Sequence, residues 1–222
     1  MKPTKTQALT AKGARSRARV LEAAFKLFAR NGFDAVTVRQ IGEAAGLDNS
    51  SIYRHFSSKA ELANHCLDAA GEGVLSCLGP LPPANPPALA DLLDAADALV
   101  DHFADKPEAA RFLLAVLVEP AGTRSALSIS VPPDADRPTN RVLETLGNWL
   151  IQARKAGVIR EVDVIETLFN IIALVLFRPA VVGSISADFD PEPFSETQRA
   201  RRRKEVRRFL TLGLDPKLEE PE

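Results

Sequence analysis

Thr37–Phe56 reads TVRQIGEAAGLDNSSIYRHF and parses as two short helices around a tight turn. Ile41, Ala44 and Ala45 recur at helical spacing, which predicts a first helix from about Val38 to Ala45. Thr37 and Gln40 stand three apart at its start, as a capping box requires. Gly46 sits where the chain must leave that helix, because glycine enters the left-handed region without a Cβ clash. Asp48 then offers a carboxylate to the free N–H groups of a second helix, Asn49 to His55. This is a helix-turn-helix. Its second helix exposes Asn49, Ser50, Ser51, Tyr53, Arg54 and His55 around buried Ile52 and Phe56, a set suited to base edges and phosphates.

Upstream, a helix from about Ala14 to Asn31 buries Val20, Leu21, Ala24, Phe25, Leu27 and Phe28, keeps Arg15, Arg17, Arg19 and Lys26 on its surface, and stops at Gly32. Residues 1–14 read as a mobile basic arm. Downstream, Ser57-Ser58-Lys59 opens a fourth helix to about Gly79 that joins head to body. Residues 1–60 hold eleven Lys/Arg and four Asp/Glu, roughly +7, so a chain of formal charge −1 carries roughly −8 in the remainder. A basic head on an acidic body is what a nucleic-acid reader shows. Cys66 and Cys77 have no metal spacing and read as plain thiols, and the first residues carry no secretory pattern, so the cytoplasm is the expected location.

The body reads as all-α. Five prolines between 80 and 87 make a stiff connector. Apolar periodicity then predicts helices over about Pro87–Asp105, Pro107–Glu119, Thr123–Val131 (short), Pro138–Ala156, Val162–Phe177 and Ser195–Leu212, with a loop at 132–136 and an acidic loop over 186–194. The Val162–Phe177 helix is apolar nearly all round, so it needs cover on more than one side. Asn170 and Arg178-Pro179 interrupt what would otherwise be long enough to span a membrane, and burial partly against a second copy of the chain is the favoured account. Arg199, Arg201, Arg202, Arg203, Lys204, Arg207 and Arg208 read as a solvated basic face.

The motif set Asn31-Gly32-Phe33, Thr37-Val38-x-x-Ile41, Ala44-Ala45-Gly46-Leu47, Ile52-Tyr53-x-x-Phe56, Lys59 and Leu62 resembles the TetR family of bacterial transcriptional regulators over about residues 15–65. Gly42 stands where that family usually has Ala, and Asp48 where it has Ser or Thr. The resemblance implies a three-helix DNA-binding domain at 15–60 and a larger helical ligand-binding and dimerisation domain at 61–215, about nine helices in all. It implies that Thr37, Tyr53, His55 and Lys59 anchor phosphates. Arg54 suits guanine and Asn49 adenine, while Arg39 fits either role. It also implies a homodimer through helices at about 162–212 and release by a small-molecule effector. The effector cavity would be walled by Leu99, Phe103, Phe112, Val116, Trp149, Phe169 and Ile172, with His102 or Asn148 as polar contacts. Those faces carry few charges, which favours a mostly apolar ligand.

The expected function is a sequence-specific repressor on double-stranded DNA with a palindromic operator. No catalytic motif, metal-ligand spacing or cofactor fingerprint accompanies it. A DNA-organising or division-control protein with the same head but a protein partner stays open, as does an enzyme with a vestigial head.

Overall fold

In the computed structural model the described residues are 5–79, 88–118, 137–185 and 192–218, of which 5–12 and 183–185 are described by backbone alone. They form nine helices and no strand: α1 Lys5–Ala35, α2 Val38–Ala45, α3 Asn49–Tyr53, α4 Lys59–Leu78, α5 Leu89–Asp105, α6 Pro107–Val118, α7 Pro138–Lys155, α8 Val164–Ile185 and α9 Glu196–Leu214. The all-α expectation is met. The short helix expected at Thr123–Val131, the proline connector at 80–87 and most of the acidic loop lie outside the described residues.

Two helix ends differ from the sequence reading. α1 begins at Lys5 instead of near Ala14, taking in part of the stretch read as a mobile arm. Its first turns hold good helix formers and no proline. Gly32 adopts φ 75° and ψ 169°, so it kinks the chain without ending the helix, which resumes to Ala35. α8 runs through Pro179 to Ile185, where a stop near Phe177 was expected. Proline removes a helical N–H and disturbs the preceding turn. Neighbouring helices serve the carbonyls on either side: Arg202 of α9 donates to Leu174 O, and Arg111 of α6 donates to Ala180 O at 3.1 Å.

Three apolar clusters hold the fold. The first joins α1–α4 through Val20, Phe28, Ile41, Ile52, Phe56 and Leu62, and α6 contributes Phe112 and Val116 to it. Phe112 lies 5.1 Å from Phe25 and 6.3 Å from Phe28, ring centre to ring centre, so α6 ties the head to the body. The second packs α5, α7, α8 and α9 around Trp149 and Leu150. The third joins α4, α5, α6 and α8 through Val74, Leu99, Phe103 and Val175.

The basic run of α9 is not a freely solvated face. Arg199 meets Asp105 at 2.5 Å, Arg203 meets Asp101 and Glu196, and Arg207 meets Asp94 and, at 2.7 Å, Asp97. Arginines spaced by four residues on α9 therefore zip onto an acidic edge of α5. This network fixes α9 against α5, beside the apolar contacts that Val206 and Leu210 make with Leu92, Ala96 and Val100. Val164–Val182 is long and apolar enough by composition to cross a membrane. Glu166 and Arg178 both fall inside that stretch, and its Arg178 side chain reaches Pro193 O at 3.3 Å within the fold.

Candidate nucleic-acid interface

The turn between α2 and α3 is built as local chemistry dictates. Thr37 Oγ1 accepts from Gln40 N at 3.2 Å, and Gln40 Oε1 accepts from Thr37 N at 2.8 Å, completing the capping box. Gly46 takes φ 63° and ψ 42°, and its N–H and that of Leu47 return to Glu43 and Gly42 carbonyls. Arg19 of α1 donates to Ala45 O, a capping contact that no sequence motif announced. A Cβ on Gly42 would stand 2.8 Å from Leu47 O, so here the glycine permits a closer turn than an alanine would.

Asp48 caps α3 by accepting from Ser51 N and from the Ser50 hydroxyl, both at 2.7 Å. The Ser50 hydroxyl first, then the Ser51 N–H, hold its carboxyl below the usual range. Its contribution to the head is therefore complete above the ordinary aspartate pKa, about 3.9, and fades as pH falls through the lowered folded value. Asp48→Ala should loosen α3 and flatten that acid dependence, whereas Asp48→Asn should keep the cap and lose only the dependence. Hydrogen exchange of the Ser51 and Ile52 amides between pH 3 and 6 would separate the two.

The outer surface of this unit carries Arg39, Asn49, Ser50, Tyr53 and Arg54, all exposed, with Thr37 beside them. Tyr53 is 54% exposed, too open for a packed core aromatic. Arg39 pairs with Glu43 at 2.9 Å across fully wetted surface, an interaction too weak to hold it from another partner. Arg54 rests on Ser51 Oγ at 2.8 Å. His55 is half-buried against Phe56.

Two expected contact residues are placed otherwise. Ser51 is 6% exposed and points inward, so its hydroxyl serves Arg54 and not a groove. Lys59 turns back across the head: Nζ donates to Phe33 O at 2.9 Å and Val36 O at 3.0 Å and sits 4.2 Å from the Phe33 ring centre. Its ammonium is occupied by the end of α1. The phosphate-anchor expectation for Lys59 gives way to a latch between α4 and α1. Acceptors gathered by the kink at Gly32 were the signal for it, and sequence shows only the lysine.

The apolar cavity lies between α4, α5, α6, α7 and α8 and measures about 150 Å³. Of the nine residues expected to wall it, Leu99, Phe103, Val116 and Ile172 do so. Phe112 belongs to the head core and Trp149 to the second cluster, where packing neighbours consume their faces. Asn148 is exposed and Phe169 is 59% exposed on the outer side of α8. His102 instead borders a separate cleft of about 350 Å³ with Phe25, Lys26, Gly73 and Lys106. Burial first, then Lys106, holds its imidazole below the ordinary range. Residues that sequence did not single out complete the apolar wall, among them Leu67, Val74, Val142 and Leu146.

Burial pushes the Cys66 thiol up to about 12 and the Cys77 thiol up to about 11, so both remain neutral. Among the described residues no cluster of His, Cys, Asp or Glu could hold a metal ion.

Residues 20–66 match the model of bacterial regulatory proteins of the tetR family. That segment contains the capping box, the glycine turn, the recognition helix and the start of α4. Over that segment the chain is similar to the TetR family. The HTH-type transcriptional repressor KstR2 of Mycobacterium tuberculosis is 43% identical over 51 residues, 23% of this chain and 26% of that protein. The HTH-type transcriptional regulator TtgR of Pseudomonas putida is 40% identical over 57 residues, 26% of this chain and 27% of that protein. The likeness to these curated TetR-family relatives thus spans about a quarter of their length. Beyond the head the kinship is one of fold. A TetR-family transcriptional regulator from Thermus thermophilus, PfmR, aligns with a TM-score of 0.59 at 21% identity, covering 93% of this chain and 98% of that one. The fatty acid degradation regulator FadR of Bacillus halodurans aligns with a TM-score of 0.62 at 14% identity, covering 87% and 96%.

Proposed function

We propose that this chain is a cytoplasmic, sequence-specific transcriptional repressor that binds a palindromic operator as a homodimer and is released by a compact, mostly apolar small molecule. The observation that carries the reading is α3: a five-residue helix held out by capped turns, with Asn49, Tyr53 and Arg54 on its wetted face and Ile52 buried behind it. Such a face suits a major groove, where arginine pairs with guanine and asparagine with adenine. Arg39, Asn49 and Arg54 are the base-reading candidates. Tyr53, Thr37, Ser50 and His55 are the phosphate-side candidates. Two copies related by a two-fold axis require inverted half-sites about 34–36 Å apart or a related spacing.

Selecting bound fragments from random duplex DNA tests this. The expected yield is an inverted-repeat consensus, and binding without sequence preference would refute the proposal. Arg54→Ala should cost about 1–3 kcal/mol and relax one symmetric pair of positions in the consensus. Measuring affinity for the selected site and its single-base variants reads both effects.

The effector part rests on the cavity among α4–α8, whose polar contributors are Thr139 and Asn140. At about 150 Å³ it is smaller than the roughly 300–1,000 Å³ of common small-molecule sites. A ligand must therefore be compact or displace a wall. Release follows only from a difference in its affinity for the operator-bound and free arrangements.

A further inference from the structure

Where the head meets the body the chain has a second opening, more than twice the size of the apolar cavity. It measures about 350 Å³, within the range of common small-molecule sites. Four helices bound it: α1, α4, the end of α5 and the start of α6. Its apolar lining joins Leu21 and Phe25 of α1 to Cys66, Ala69 and Ala70 of α4, whose short side chains leave room that larger residues would take. Gly73 continues that row. A Cβ there would stand 3.2 Å from His102 Cε1 and 3.4 Å from Nε2, so the imidazole lies against the α4 backbone at the edge of the opening.

The charged groups around it fall into two sets. Glu22 and Lys26 pair with one another at 2.7 Å, and Asp105 is taken by Arg199 at 2.5 Å. Lys106 and Glu108 also line the opening, and among the described residues the side chain of neither has an ion-pair or hydrogen-bond partner. They stand two residues apart with opposite charge and do not pair with each other. His102 likewise has no hydrogen bond at either ring nitrogen among the described residues. Its half-buried ring is held neutral, by burial first and then by Lys106, so it offers one N–H and one lone pair.

An ammonium, a carboxylate and an imidazole thus meet at one apolar opening with their hydrogen bonds unspent. Convergent polar groups on an apolar lining mark a ligand site. An anion alone would be drawn by Lys106 and repelled by Glu108, and a cation alone would meet the reverse. A molecule that carries both charges satisfies both.

We propose that this opening binds a small zwitterion with an apolar body, of the class of the apolar α-amino acids. Its carboxylate lies on Lys106 and the His102 N–H, its ammonium on Glu108, and its side chain over Leu21 and Phe25. The site shares no lining residue with the apolar cavity, and it stands whether or not the chain reads an operator.

Leucine, methionine and phenylalanine are the probes, titrated calorimetrically into the full chain. Each is set against the acid that lacks its ammonium and the amine that lacks its carboxylate (4-methylpentanoate and 3-methylbutylamine for leucine). At least one amino acid is expected to bind, and its two analogues to bind about tenfold or more weakly, since each lacks one charge-assisted contact. The ring protons of His102 should shift on titration while those of His55 and His65 stay. Lys106→Met should bring the amino acid down to the level of its amine, and Glu108→Gln down to the level of its acid. A part in stability alone would weaken all three ligands alike. Ala69→Phe, at an exposed position, fills the opening and should abolish binding with no loss of helix content. The proposal is overturned if none of the three amino acids binds, if either analogue equals its amino acid on the native chain, or if the two charge variants leave that ranking unchanged. No DNA enters these measurements, so their failure is separate from a failure to select an operator.

Discussion

Lys59→Ala is expected to destabilise the head by about 2–4 kcal/mol without changing the salt dependence of DNA binding. The ammonium bonds Phe33 O at 2.9 Å and Val36 O at 3.0 Å, reaches Asp34 O at 3.5 Å, and rests 4.2 Å from the Phe33 ring centre. An ammonium's three donors match three carbonyls gathered at the end of α1. A hydrogen bond to a charged group contributes about 1.5–3 kcal/mol, and a cation over an aromatic ring about 0.5–1 more at an exposed site. Water replaces part of this at the outer carbonyl, which sets the lower bound. Lys59→Arg should recover little, because a planar guanidinium cannot point its donors at carbonyls arranged around one ammonium. Urea unfolding, followed by hydrogen exchange in α1 and α2, reads the loss. A lysine spent on a phosphate would give the opposite pattern: unchanged stability, and a salt slope reduced by about one counterion.

Lys59 marks the boundary of what the sequence could disclose. Thr37 with Gln40, Gly46 and Asp48 were legible because a cap or a left-handed turn is settled by residues within four positions of one another. Lys59 and Arg19 each act on a carbonyl more than twenty residues away, and a carbonyl has no signature in a sequence. Periodicity had the same limit in the body. It identified the buried faces of Phe112 and Trp149, but it cannot say which helix covers a face, so core residues were assigned to a cavity wall. Pro179 was read as a stop because proline breaks an isolated helix. In the fold, arginines from α6 and α9 reach the flanking carbonyls. The spacings of Asp94, Asp97, Asp101 and Asp105 and of Arg199, Arg203 and Arg207 were open to view. That one series meets the other is a tertiary fact.

Phe169→Asp combined with Phe209→Asp should leave the fold intact, yield a monomer, and weaken operator binding by a factor of about 100 or more. On α8, Ile165, Phe169 and Phe177 are 66%, 59% and 54% exposed and recur on one face; on α9, Phe209 and Leu212 are 58% and 53% exposed. An open groove of about 650 Å³ runs between the two helices, floored by Ile171, Leu174, Leu210 and Leu214. Soluble monomers rarely leave contiguous apolar patches larger than a few hundred Å², so this face calls for cover. A second copy supplies it most economically, since a two-fold axis sets the same apolar face against itself. The exposed positions contribute little to the subunit's own core, so carboxylates there cost the isolated fold almost nothing. At the interface each would be buried without a partner, which is expensive. Losing the pairing removes the effective concentration that places a second head on its half-site, an advantage of about 10²–10⁴. Sedimentation velocity and operator titration should therefore change together, while far-UV circular dichroism does not. A variant that stays dimeric would move the interface elsewhere; one that becomes monomeric with undiminished operator affinity would show that pairing does not set the reach of the recognition helices.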